Sequence, residues 1–246
     1  MRGIHPSRLT SLRQARRAGT IPAQIGMTAM AGVALIAGTR TVLAGNPSGL
    51  LAAGLAFLLV CAVVADRMRQ GYPHDRIGGC NVVTLMRAGL VCALLMPLLA
   101  GDAGGWAVAA VAGTALILDG LDGYLARRSG LASRFGARFD MEADAALALV
   151  LSLHIIAGTA VGIEILVLGA PRYVFVLAGM ALPWLRADLP HRQWRKVICV
   201  IQIAVLILLQ VPVLTPDQAI AVARMAALLL AGSFAADILW LWRHAT

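Results

Sequence analysis

The stretch Asp119–Asp144 reads DGLDGYLARRSGLASRFGARFDMEAD and joins two apolar runs, Trp106–Leu118 and Ala145–Ala160. Asp119 and Asp122 stand three residues apart; Asp140 and Asp144 stand four apart. With both runs helical, each pair projects from one face of its helix. Four carboxylates at the edge of a membrane are unfavourable unless something neutralises them. Divalent metal is the simplest neutraliser. A solvated acidic loop would account neither for the helical spacing of the acids nor for Gly123 and Gly136 beside them.

The surrounding chain makes the membrane the right frame. It has 246 residues, 60% of them hydrophobic and 13% charged, with a mean hydropathy of +0.81. No soluble domain of this size needs so much apolar surface. The sequence predicts an all-α integral membrane protein, a polytopic helical bundle. Eight spans are expected: Ile21–Thr39, Ser48–Ala65, Val82–Leu99, Trp106–Leu125, Glu142–Ala160, Ile165–Leu185, Val197–Leu214 and Gln218–Trp242. The polar stretch 66–80 divides them. A basic N-terminal segment (1–20) precedes two extra transmembrane helices (21–65), and a six-helix catalytic core follows (81–246).

Charge placement orients the spans. Arginines gather before the first span, between the second and third (Arg67, Arg69, Arg76) and in the acidic stretch (Arg127, Arg128, Arg134, Arg138). More follow between the sixth and seventh (Arg186, Arg192, Arg195, Lys196), and Arg243 follows the last. The opposite loops hold only Arg40. The positive-inside rule then expects both termini and the aspartates on the cytoplasmic side of the cell membrane. The net charge of +9 is a topology signal first. Basic cytoplasmic loops would also hold anionic membrane lipids, and nothing else favours nucleic acid.

Val42-Leu43-Ala44 is a poor cleavage site, so the first span reads as a retained anchor. Cys61, Cys80, Cys92 and Cys199 show no paired spacing and read as packing residues. His154, mid-span, reads as packed and hydrogen-bonded.

The spacing D-x2-D-G-x2-A-R-x8-G-x3-D-x3-D is filled by Asp119, Asp122, Gly123, Ala126, Arg127, Gly136, Asp140 and Asp144. This resembles the signature of the CDP-alcohol phosphatidyltransferase family, and eight fixed positions are far more specific than a lone glycine-rich loop. Asn81-Val-Val-Thr84-Leu-Met-Arg87 is similar to the N-x2-T-x2-R opening of the family's first core helix. Asn81 would also serve there as an N-cap. Arg87, sunk a turn and a half into lipid, needs an acidic or phosphate partner.

The resemblance implies an enzyme of phospholipid biosynthesis, transferring a phosphatidyl group from CDP-diacylglycerol to an alcohol with release of CMP. It implies two Mg2+ or Mn2+ ions per active site, held by Asp119, Asp122, Asp140 and Asp144, with Asp144 also the general base; composition alone does not single out that aspartate. It places Asn81, Thr84, Gly123, Ala126, Arg127, Ser133 and Gly136 at the CDP-alcohol, and it implies a homodimer.

The acceptor rests on fewer residues. Arg172 in Gly-Ala-Pro-Arg-Tyr either snorkels or faces a cavity and binds an anion. Lys196 with Gln202, and Ser233 with Asp237, resemble features of the phosphatidylglycerophosphate synthase and cardiolipin synthase branch. That points to glycerol 3-phosphate, its phosphate held from among Arg134, Arg138, Arg172 and Lys196. Met141 and Ala145 stand where that branch usually carries proline and lysine, so inositol phosphate, phosphatidylglycerol or serine stay open as acceptors. A divalent-cation transporter is the alternative from another class; it would put acids at mid-membrane rather than towards one face.

Overall fold

The computed structural model describes residues 6–43, 45–131, 133–186 and 193–244; the side chains of 6–20, 126, 127, 183, 186 and 193–196 lie outside the described set. Ten α-helices and two short 3-10 turns, with no strand among the described residues, make an all-α polytopic membrane-type fold. The helices are α1 (Pro6–Thr39), α2 (Pro47–Gly71), α3 (Gly79–Ala93), α4 (Leu95–Ala100) and α5 (Gly105–Ser129). They continue as α6 (Arg134–Gly158), α7 (Leu166–Gly169), α8 (Pro171–Ala181), α9 (Gln193–Leu208) and α10 (Pro216–Arg243).

Helix α3 is the axis of the molecule, with α1, α2, α5 and α6 packed on it. Where α1, α2 and α3 meet, the buried ring of Phe57 lies over Gly32 and Gly89. A Cβ at Gly32 would fall onto that ring, which is the close approach small residues allow between membrane helices. The opposite face of α2 shows Leu51, Leu55 and Leu59 outward, an apolar surface suited to lipid. His154 is buried and fully bonded: Nε2 meets the Leu94 carbonyl at 2.8 Å where α3 gives way to α4, and Nδ1 accepts from Gly104 N at 3.3 Å. The four cysteines are free thiols.

The expected count of eight spans differs from the helices found. Six helices among the described residues are long and apolar enough to cross a membrane. The sixth expected span is instead the pair Ile163–Gly169 and Pro171–Ala181, bent by 73°. Pro171 has no N–H to continue the preceding turn, yet it suits the first position of a new helix. The seventh is a shorter apolar helix, Val197–Leu208, which stops four residues before Pro212. Both helices stop ahead of prolines that an apolar average overlooks.

The acidic stretch is more regular than a loop. Helix α5 runs through Asp119 and Asp122 to Ser129 and ends on Gly130 in the left-handed region (φ 65°). Helix α6 starts at Arg134, two turns before the expected Glu142, because the Ser133 hydroxyl caps it by accepting from Gly136 N at 3.0 Å.

Candidate active site

Asp119 and Asp122 therefore ride the last turns of α5, and Asp140 and Asp144 the second and third turns of α6. Between them stands Arg87 of α3, only 1% exposed. Its Nη1 lies 3.1 Å from Asp119 Oδ1, 2.8 Å from Asp122 Oδ2 and 2.5 Å from Asp140 Oδ1. Its Nη2 donates to Asp144 Oδ1, and its Nε donates to the Ala115 carbonyl at 3.1 Å. Asp122 is the most buried of the four and also accepts from the Thr84 hydroxyl at 3.0 Å. One guanidinium is thus shared by four carboxylates from two helices. The acidic partner that a buried arginine needs is the whole motif.

One guanidinium offsets one of four formal negative charges, so the cluster keeps an excess of hard oxygen donors. Single carboxylate oxygens of Asp119, Asp140 and Asp144 lie within 4.8 Å of one another. That donor set suits magnesium or manganese, which take carboxylate oxygens and complete their shell with phosphate and water.

A second group forms beside it. Asn81 is buried in the first turn of α3, and the N-cap is Gly78, not Asn81 as expected. Gly78 at φ 76° lets the helix begin earlier, which turns the Asn81 side chain to tertiary partners. Its Nδ2 donates to the Ile77 carbonyl at 2.6 Å and to the Tyr72 hydroxyl at 2.9 Å. Its Oδ1 faces Gly136: a Cβ there would sit 2.9 Å from Oδ1 and 3.3 Å from Ser133 Oγ. Glycine at 136 lets the start of α6 approach this cradle. Gly123 follows Asp122 on α5. Ala126 and Arg127 lie further along that helix, and their side chains fall outside the described set.

On the other side of α6 is a cavity of about 360 Å³ between α6, α7, α8, α9 and α10. Asp144 lines it, with Arg172, Gln202 and Asp237 as its other polar members and Phe175 and Phe234 among its apolar ones. Arg172 is ion-paired to Glu142, through Nη2 at 2.5 Å and Nε at 3.2 Å. Gln202 donates to the Leu168 carbonyl. Arg134 and Arg138 are exposed on the first turns of α6 and do not line this cavity. Lys196 lies on α9 with its side chain outside the described set.

The family model for CDP-alcohol phosphatidyltransferases matches residues 79–236, well over half of the chain. The chain belongs to the CDP-alcohol phosphatidyltransferase family. The matched stretch opens two residues before Asn81 and leaves α1 and α2 outside. Membership makes the chain a transferase of phospholipid biosynthesis that moves a phosphatidyl-type group from a CDP-alcohol to an acceptor, in a family that uses divalent metals. Comparison with curated proteins finds no match, and comparison with solved structures finds none.

The structure gathers Asp119, Asp122, Asp140, Asp144 and Thr84 in one place, and Asn81, Ser133 and Gly136 in the place beside it. Two residues of the site lie beyond the assignments made from sequence. Arg87 was visible only as a charge in want of a partner. Tyr72 carried no signal at all, since its contacts with Asn81 and Phe135 depend on how the linker folds back.

Proposed function

We propose that the chain transfers a phosphatidyl group from CDP-diacylglycerol to an anionic polyol, with glycerol 3-phosphate the best candidate, releasing CMP. The observation that carries this reading is the position of Asp144, which both meets the carboxylate cluster through Arg87 and, alone of the four aspartates, lines the cavity. A hydroxyl in that cavity would lie against a carboxylate oxygen able to take its proton. The hydroxyl oxygen would then bond to the phosphorus of the diacylglycerol phosphate, and the bond from that phosphorus to the CMP oxygen would break.

Asp119, Asp122, Asp140 and Asp144 would hold two ions of magnesium or manganese. When bound, these supply positive charge to the pyrophosphate and the leaving oxygen. Asn81, Ser133 and Gly136 would receive the cytidine side, and Arg127 would grip the pyrophosphate. Thr84 would orient Asp122, with which it is bonded, as well as border the nucleotide. Arg172 would take the acceptor's anionic group by exchanging Glu142 for it, with Arg134, Arg138 and Lys196 as further cations on the approach. Membership in a transferase family favours this chemistry over cation transport. The arginine distribution favours an active site on the cytoplasmic face of the cell membrane, and a homodimer is the assembly expected by resemblance.

Radiolabelled CDP-diacylglycerol offered with a panel of alcohols tests the reading directly. Labelled phosphatidylglycerophosphate should form with glycerol 3-phosphate, vanish with a chelator and return with magnesium or manganese. Full turnover in verified absence of metal sinks the metal-dependent mechanism. Turnover only with uncharged alcohols sinks the acceptor assignment. Cysteines placed at Arg69 and Arg128 should label from the cytoplasmic side and one at Asp217 from the other; the reverse pattern overturns the orientation.

A further inference from the structure

The family match begins at residue 79, yet the Asn81 side chain is fixed from outside it. Tyr72 lies just past the end of α2 and is buried. Its hydroxyl donates to the Ile77 carbonyl at 2.9 Å and accepts from Asn81 Nδ2 at 2.9 Å. Nδ2 donates to the same carbonyl at 2.6 Å, so the three groups close a triangle. Ile77 is itself pinned on the other side, where its N–H donates to Gln24 Oε1 of α1 at 3.0 Å. The Tyr72 ring packs edge-on against Phe135 of α6 (5.9 Å) and His74 (5.4 Å). Burial and the neighbouring Cys80 push the phenol above its ordinary value, against the Asn81 hydrogen bond, so the hydroxyl keeps its proton at neutral pH.

These bonds occupy the amide's nitrogen and turn its oxygen to the cradle. Asn81 Oδ1 faces Gly136 beside the Ser133 cap. The reversed amide would set Oδ1 against the Ile77 carbonyl, two acceptors with no proton between them. Here the orientation is fixed by two acceptors that themselves belong to the linker.

We propose that Tyr72 is a positioning residue for the nucleotide half of the substrate, holding Asn81 with the help of Gln24 and Ile77 so that Oδ1 accepts a hydrogen bond from the CDP-alcohol. This gives α1 and α2 a part in recognition: the first supplies Gln24, the second ends on Tyr72. The inference rests on the reading that Asn81 and Gly136 line the nucleotide cradle, and the test separates the two.

The test uses the full-length protein in detergent, with CMP as the probe and magnesium present. Tyr72→Phe keeps the ring and its packing and removes only the hydroxyl. It should raise the Kd for CMP and the KM for CDP-diacylglycerol roughly fivefold, the loss expected for one neutral hydrogen bond. The acceptor KM should stay unchanged, as should the unfolding midpoint within a few degrees. Gln24→Leu should act in the same direction and less strongly. Asn81→Ala should raise the Kd for CMP at least as much as Tyr72→Phe. An unchanged Kd in Tyr72→Phe alongside a raised one in Asn81→Ala overturns the role of Tyr72 and leaves the cradle standing. An unchanged Kd in both overturns the cradle reading and the proposal with it. Equal losses in both substrates' KM with a lowered unfolding midpoint make Tyr72 a packing residue only, which also overturns the proposal.

Discussion

Two arginines show what burial does to a charge. Arg87 is 1% exposed and shared by four carboxylates and a backbone carbonyl. The side chain of Arg172 is 31% exposed and has one carboxylate, Glu142, itself 48% exposed. A desolvated cation is committed to its partners, because leaving any of them uncompensated in low dielectric is strongly unfavourable. A half-solvated pair is screened, contributes little to stability, and can trade its carboxylate for another anion. Arg87 thus belongs to the framework that brings α3, α5 and α6 together around the motif. Arg172 borders a cavity and is free to exchange.

Removing Arg87 should have the largest effect of any single change. Arg87→Leu leaves four carboxylates facing one another and should cost about 3–5 kcal/mol of stability, read as a fall in the unfolding midpoint. Magnesium or manganese should restore part of that fall, since an ion that binds only the folded state stabilises it. Arg87→Lys should be milder in size but still clear, because one ammonium cannot span two helices as a guanidinium fork does. An Arg87→Leu protein as stable as the parent without metal would erase the contrast between the two arginines.

The aspartates sharpen the comparison next. Asp140→Asn should lower bound metal and turnover together. Asp144→Asn should lose turnover by about a hundredfold or more, the scale of a lost general base, while CMP still binds. Asp144 differs in its position, bordering the cavity as well as the cluster. Equal loss of CMP binding in the two variants would remove the case for Asp144 as base.

The smallest effect belongs to Arg172. Arg172→Ala should raise the acceptor KM about fivefold to tenfold, less than a fully buried charge-assisted bond would give, and should leave the KM for CDP-diacylglycerol nearly unchanged. Glu142→Gln should lower the KM for an anionic acceptor, because the competing carboxylate is gone. If neither change moves the acceptor KM, Arg172 and Glu142 form only a surface pair, and an acceptor without an anionic group becomes the better reading.

Apolar runs, arginine-bearing loops and four aspartates at helical spacing determined by themselves that the chain is an all-α polytopic membrane protein with a carboxylate site at one end of two helices. Those features are local, and hydropathy and helical period act through neighbours a few residues apart. The same averaging blurred α7 to α9, where Pro171 breaks one expected span and the helix of another stops short of Pro212. Tertiary structure alone decided that Arg87, more than thirty residues from the nearest of the four motif aspartates in sequence, would be the hub of the cluster. It alone turned Asn81 from an N-cap into the point where Tyr72 and the start of α6 meet. It alone set Asp144 at the cavity wall and paired Arg172 with Glu142. Each of these is a contact between distant segments, fixed by which charge or amide is left without water once the helices pack, and no spacing along the chain encodes that.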